Sequence, residues 1–180
     1  MKLKLFILVL ALQSAWVLYT VAVQERALRD GTPILLETER VDPRDLLRGD
    51  YLILNYKISN VPTNLFSPPV SPELPGGTKV YVARDPHGDF FAVARASTNQ
   101  FVPFANQVLL NANRTWGGGS GTNAVHLEYG LERYYVREGS GNPRGKLTVQ
   151  AVVPASGRAS IHQLFLDGKP YAQAMNENPR

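Results

Sequence analysis

The sequence predicts a mainly β protein that follows one N-terminal transmembrane helix. An uncharged apolar run at 5–23 is long enough to cross a bilayer. Beyond Pro33, apolar residues recur with the period of two that is typical of strands. The 15 glycines and 13 prolines suit a loop-rich β domain better than a helical bundle. We therefore expect an antiparallel β barrel or sandwich with one or two short helical turns.

Composition excludes several classes of function. The chain has no cysteine, so it can form neither disulfides nor cysteine-based metal centres. The net charge is +4, but with Lys2 and Lys4 set aside, 17 basic residues face 15 acidic ones. These basic residues are scattered, whereas a nucleic-acid surface needs clustered Lys and Arg to displace counterions. We expect no nucleic-acid partner.

The apolar run predicts a membrane anchor within residues 1–30, which contacts the lipid bilayer through residues 5–23. About 20 helical residues at a 1.5 Å rise cross a hydrocarbon core of about 30 Å. Good helix formers continue to Arg29, and Gly31 stops the helix near Asp30. A cleaved signal peptide ending at Ala22 and a buried core helix are the alternatives. The run exceeds the 7–15 apolar residues typical of a signal peptide, which favours an uncleaved anchor.

The charges that flank the run predict its orientation. Lys2, Lys4 and the α-amino group precede it, and the charges of Glu25, Arg26, Arg29 and Asp30 sum to zero after it. Because Arg26 and Arg29 match Lys2 and Lys4 in number, the α-amino group tips the balance. Positive flanks stay in the cytoplasm. The N-terminus is therefore expected to be cytoplasmic and the C-terminal domain extracytoplasmic.

Residues 31–174 form the predicted β domain, and 175–180 form a polar tail. After a strand at 34–40, Asp42 caps a helical turn that Gly49 closes. In the next strand, 51–58, alternation places one set of side chains in the core. That set is Leu52, Leu54, Tyr56 and Ile58.

The rest of the domain alternates between strands and turns. The proline-rich segment 60–77 is predicted to be a long loop, because proline fixes φ and donates no amide hydrogen bond. Segment 131–136 is either a short helix or a bulged strand. The other predicted strands are 78–83, 89–96, 108–113, 125–129, 146–153 and 158–166. Turns are predicted at 85–88, 117–121, 138–142, 154–157 and 167–168. Residues 101–104 are predicted to be a connecting segment, and the tail after Ala174 is predicted to be frayed.

Residues 49–56 read G-D-Y-x-x-L-x-Y, which resembles the signature of the uncharacterised bacterial GDYXXLXY family. The turn at 41–45 and the blocks 129–136 and 166–170 also resemble that family. The resemblance implies a membrane-anchored envelope protein, often encoded beside multi-spanning membrane proteins. It therefore implies the bacterial inner membrane, a periplasmic domain and a multi-spanning partner. It attaches no chemistry to the chain.

Two catalytic interpretations find little support in the residue pattern. A signal-peptidase-like site needs a serine shortly before the Gly-Asp pair, but no serine occurs between Ser14 and Ser59. The glycine tract 117–121 lacks the Lys-Ser/Thr pair of a phosphate-binding P-loop.

The pair His126 and Glu128 could ligate a metal, but zinc needs three or four converging ligands. The spacing does not bring His87 or His162 to them, so we predict no metal and no cofactor. Glu128 and Glu132 could instead form an acid/base pair. An envelope hydrolase or ligand-processing domain near these glutamates and His126 is therefore the alternative function.

The favoured function is a binding or scaffolding module for a multi-spanning membrane protein. An accessory role to a channel or transporter is a third, minor interpretation. Tyr and Arg are common at binding hot spots, so a surface with both could contact the partner. In the simpler interpretation the same residues only cap turns and pack. The candidate binding residues are Asp50, Tyr51, Glu132, Arg133 and Tyr134.

Overall fold

A computed structural model of the chain describes residues 2–39, 51–71, 73–115, 123–136 and 145–177. The first element is helix α1, Lys2–Asp30, which ends at the predicted residue. Its segment Lys4–Asp30 has a mean hydropathy of 2.1 and buries none of its most apolar window in the protein. The helix is thus long and apolar enough to serve as a membrane anchor, and no other described helix is.

The remainder is mostly strand. Helix α2, Tyr171–Glu177, ends the described chain, and short 3-10 turns occupy Lys57–Ser59 and Thr63–Leu65. The strands are β1 Thr32–Glu37, β2 Tyr51–Ile53, β3 Asn60–Pro62, β4 Lys79–His87, β5 Phe90–Ser97, β6 Val108–Arg114, β7 Ala124–Glu128, β8 Arg133–Tyr135, β9 Leu147–Val153, β10 Ser160–Leu166 and β11 Lys169–Pro170.

The described strands form three sheets that curl toward closure. Their orders are β1-β9-β10-β11, β2-β8 and β3-β7-β6-β4-β5, and the pairings between strands are antiparallel. A bridge between Phe66, in the segment after β3, and Ala96 in β5 brings the two edges of the five-stranded sheet near each other. A second bridge, between Thr38 and Tyr56, links the segment after β1 to the segment after β2. The predicted mainly β, antiparallel fold is confirmed, and of the two predicted forms the structure has the barrel-like one.

Alternation along each strand builds one core. The predicted inward residues of the motif segment are all buried: Leu52, Leu54, Tyr56 and Ile58. Leu54 and Tyr56 expose none of their surface, and they pack in the same cluster as Leu36, Leu110 and Val149. The side of the motif that faces the core was therefore predicted correctly.

Two predicted element boundaries were wrong, and proline explains both. The loop expected at 60–77 contains β3, whose Pro62 is tolerated because β3 lies at the edge of its sheet. The turn expected at 85–88 is also displaced, since β4 continues through Pro86 to His87. There β6 no longer flanks β4, because their pairing ends at Arg84 opposite Val108.

Other boundaries also differ from the prediction. The strand expected over 51–58 keeps its alternation but is regular only to Ile53. Segment 131–136 contains strand β8, and α2 crosses the expected boundary at 174 and runs to Glu177. The tight turn at Asp167 and Gly168 is confirmed by positive φ values of 50° and 81°. The predicted helical turn at 42–49 and the turns at 117–121 and 138–142 lie outside the described residues.

The domain has two distinguishable ends. At one, α1 meets β9: a Cβ on Gly31 would clash with Val152 Cγ1, and Thr32 pairs with Val153. We call this the helix end. At the other, Glu37 forms ion pairs of 2.7 Å with both Lys57 and Lys146, which hold the pKa of its carboxyl below the usual 4.5.

Candidate functional site

Strands β2 and β8 bring two of the candidate residues together. Tyr51 lies opposite Tyr135, and Ile53 lies opposite Arg133. Directly opposed residues share one side of an antiparallel pair, as do residues two apart on one strand. These four side chains therefore form one outward surface, which we call the aromatic face.

The aromatic face combines exposed rings with a cation. The ring centroids of Tyr51 and Tyr135 are 6.2 Å apart and tilted by 58°. The Arg133 guanidinium carbon lies 5.7 Å from the centre of the Tyr51 ring. Tyr135 is 74% exposed and Ile53 is 37% exposed. Exposed tyrosine beside arginine and an aliphatic residue is the composition of a binding hot spot.

Tyr134 lies on the other side of the pair. It is opposite Leu52 and packs edge-on against Tyr171, with ring centroids 6.0 Å apart. The strand thus separates Tyr134 from Tyr51 and Arg133, and it brings Tyr135 beside Tyr51 instead. The sequence pattern led to Tyr134 and not to Tyr135, because the register of β8 against β2 depends on residues about 80 positions apart.

Glu132 supports the chain before β8. Its carboxylate accepts a hydrogen bond from the backbone N–H of Tyr129, and its carbonyl accepts one of 2.8 Å from Leu54 N–H. Gly130, with φ at +79°, allows the tight turn between these residues. Asp50 lies outside the described residues, so its predicted role stays a prediction.

Two buried tyrosines tie the motif segment to the 129–132 turn. The Tyr56 hydroxyl donates to the Leu131 carbonyl at 2.7 Å, and the Tyr129 hydroxyl donates to the Ile58 carbonyl at 2.7 Å. Burial, with a contribution from Glu132, raises the pKa of Tyr56 above its usual value. Burial also raises the pKa of Tyr129, so both hydroxyls stay neutral donors and fix the position of the turn.

The residues of the alternative catalytic site have separate partners. His126 Nδ1 lies 2.7 Å from Asn60 Oδ1, while Glu132 bonds the turn. Glu128 is exposed on β7, opposite Asn113. No hydrogen bond joins any two of these three described side chains. Within the described ranges, no group of three His, Asp or Glu residues could hold a metal ion.

A buried arginine was missed by the sequence analysis. Arg84 exposes none of its surface, and its three guanidinium nitrogens have no hydrogen-bond partner among the described residues. The guanidinium carbon lies 4.6 Å from the centre of the Tyr129 ring. Burial lowers the pKa of Arg84, and Tyr129 opposes that shift. Val80 and Val82 are buried, so continued alternation predicts that residue 84 also faces the core. The strand predicted from the sequence ended at residue 83, and Arg84 was therefore not considered.

A comparison with known protein families identifies the same family that the motif resembles. The model of the GDYXXLXY protein family matches residues 13–164, which include most of α1 and the strands from β1 into β10. No curated protein and no solved structure matches the chain significantly. Because the matched segment covers most of the sequence and includes the motif itself, the chain belongs to the GDYXXLXY protein family.

Proposed function

We propose that this protein is a single-pass, membrane-anchored binding or scaffolding module. Its β domain lies outside the cytoplasm of a bacterial cell, at the inner membrane, and contacts a multi-spanning membrane protein. The aromatic face carries this proposal. The exposed apolar helix and its charged flanks support the anchoring and the orientation.

The orientation can be tested directly because the chain has no cysteine of its own. Val102 is 86% exposed in the loop before β6, so a Val102→Cys side chain is open to reagents. We expect a membrane-impermeant maleimide to label Val102→Cys in intact cells whose outer membrane is permeabilised. Lys2→Cys in the N-terminal flank should be labelled only after lysis. The reverse pattern would overturn the proposed orientation.

The aromatic face is suited to a protein partner for a physical reason. Tyrosine rings bury a large area while fixing few torsion angles, and arginine adds hydrogen bonds and stacking. Tyr135 and Ile53 remain exposed although residues of the same types are buried elsewhere in this fold, such as Tyr56 and Ile34. A partner that covers this surface would remove apolar area from water, which favours association.

We expect a photo-crosslinking amino acid at position 135 to capture a multi-spanning membrane protein in living cells. The matched control is position 104, because Phe104 is an equally prominent ring, 70% exposed, outside the aromatic face. With the captured protein purified, Tyr135→Ser should weaken binding at least about tenfold, as truncating a hot-spot residue does. Phe104→Ser should leave the affinity unchanged.

The result that counts against the proposal is specific. If positions 135 and 104 cross-link the same proteins with the same yield, the aromatic face makes no selective contact. Cross-linking only to soluble proteins would exclude a multi-spanning membrane protein as the partner. The aromatic face would then still be a binding surface.

A further inference from the structure

The helix end contains a polar pocket of about 290 Å³. A volume of this size fits a small polar group better than a drug-sized ligand. It is open to solvent, and its walls come from β4, β6, the turn after β7 and the segment before β10. The lining residues that carry the argument are Lys79, Tyr81, Asn111, Asn113, Tyr129 and Arg158.

Strand registers place this pocket where α1 leaves the domain. Ser160 pairs with Val152, and Arg158 lies two residues before Ser160, toward the helix end. The turn that follows β9 reaches the pocket, because Asn111 donates to the Ser156 carbonyl at 2.8 Å. Residues 24–30 of α1 extend about 10 Å beyond the apolar run, at a 1.5 Å rise. The pocket therefore lies close to the headgroup layer of a bilayer that α1 would span.

The charge that the described residues bring to the pocket is positive. Its described lining includes Lys79 and Arg158 and no carboxylate. Neither cation forms an ion pair with a described acidic residue. Asn113 and Tyr81 add side-chain amide and hydroxyl donors to the same walls. Cations with converging neutral donors suit the oxygens of a phosphate group.

Arg84 adds a third positive charge behind the pocket. It contacts the ring of Tyr129, a lining residue, at 4.6 Å, and it is fully buried without a hydrogen-bond partner among the described residues. An unpaired buried charge is costly, so its presence is explained more readily by a function than by stability.

We propose that this pocket binds the phosphate of an anionic lipid headgroup. The proposal rests on the anchoring part of the proposed function, but it is independent of the aromatic face and its partner. The bilayer is the nearest source of such a group, since the pocket and α1 share one end of the domain. Bound lipid would hold the β domain in a fixed orientation above the membrane.

The test uses the full chain in nanodiscs of phosphatidylcholine, with and without phosphatidylglycerol. Anything that binds the folded state raises the midpoint of thermal unfolding, and we expect an increase of about 5 °C with phosphatidylglycerol. The double substitution Lys79→Gln and Arg158→Gln should abolish that shift. Arg26→Gln with Arg29→Gln is the matched control: it removes two exposed cations beside the membrane and should retain the shift.

Asn113→Asp provides a second variant that removes no cation. It is nearly isosteric and adds a carboxylate to the pocket, so it should also abolish the shift. An equal loss in the Arg26/Arg29 control would overturn the pocket, because general surface attraction would then explain the effect. An equal shift from inorganic phosphate in phosphatidylcholine nanodiscs would overturn the lipid as the source. Failure of the chain to insert at all would instead overturn the anchor.

Discussion

Leu54→Ala should lower the free energy of unfolding by about 2–5 kcal/mol, the range measured for buried leucine truncations. Leu54 exposes none of its surface and packs in the main core cluster. Its backbone N–H also bonds the Glu132 carbonyl, so the backbone around it is fixed and cannot easily collapse into the cavity. The loss should therefore fall toward the upper part of that range. Chemical denaturation of the full chain in detergent, followed by near-UV circular dichroism, measures it.

Ile53→Ala is the matched control, because it removes a similar volume one residue away. Ile53 is 37% exposed on the aromatic face, so its truncation should cost less than about 1 kcal/mol. Equal losses at the two positions would contradict the assignment of Leu54 to the core and Ile53 to the surface. Leu54→Ala and Ile53→Ala measure how the motif contributes to stability. Tyr135→Ser measures how a neighbouring residue contributes to binding the partner.

The motif segment shows how much of this fold could be predicted from local pattern. The period of two assigned Leu52, Leu54, Tyr56 and Ile58 to the core correctly, because burial on a strand depends only on which side a residue faces. The end of α1 was also predicted from local sequence, because Gly31 directly follows its last residue. The displaced boundaries at Pro62 and Pro86 arose from sheet edges, which depend on which strands are neighbours.

The candidate sites depended on pairings that local pattern does not contain. Tyr51 was predicted, but its neighbour Tyr135 emerges only from the register between β2 and β8. The cationic pocket joins Lys79 to Arg158, which lie almost 80 positions apart in the chain. Neither residue is part of a motif or a charge cluster. Such sites are assembled by the topology, so a single sequence does not reveal them.

Arg84→Met should raise the free energy of unfolding by about 1–4 kcal/mol, the gain seen when buried ionic groups are replaced by apolar ones. The guanidinium is fully buried without a hydrogen-bond partner among the described residues. Its desolvation cost exceeds the roughly 2 kcal/mol that stacking on the Tyr129 ring can return. Methionine is flexible enough to fill most of the same space. Denaturant unfolding of the full chain in detergent measures the change.

Arg95→Met is the matched control for Arg84→Met. Arg95 is half-buried, and its guanidinium lies 3.9 Å from the centre of the Phe101 ring, so the same substitution should give no gain in stability. If Arg84 serves the pocket, Arg84→Met should also reduce the phosphatidylglycerol shift while the lipid-free protein becomes more stable. Opposite changes in stability and binding are typical of a residue retained for function. A loss of stability in Arg84→Met would instead show that the buried charge is compensated within the fold.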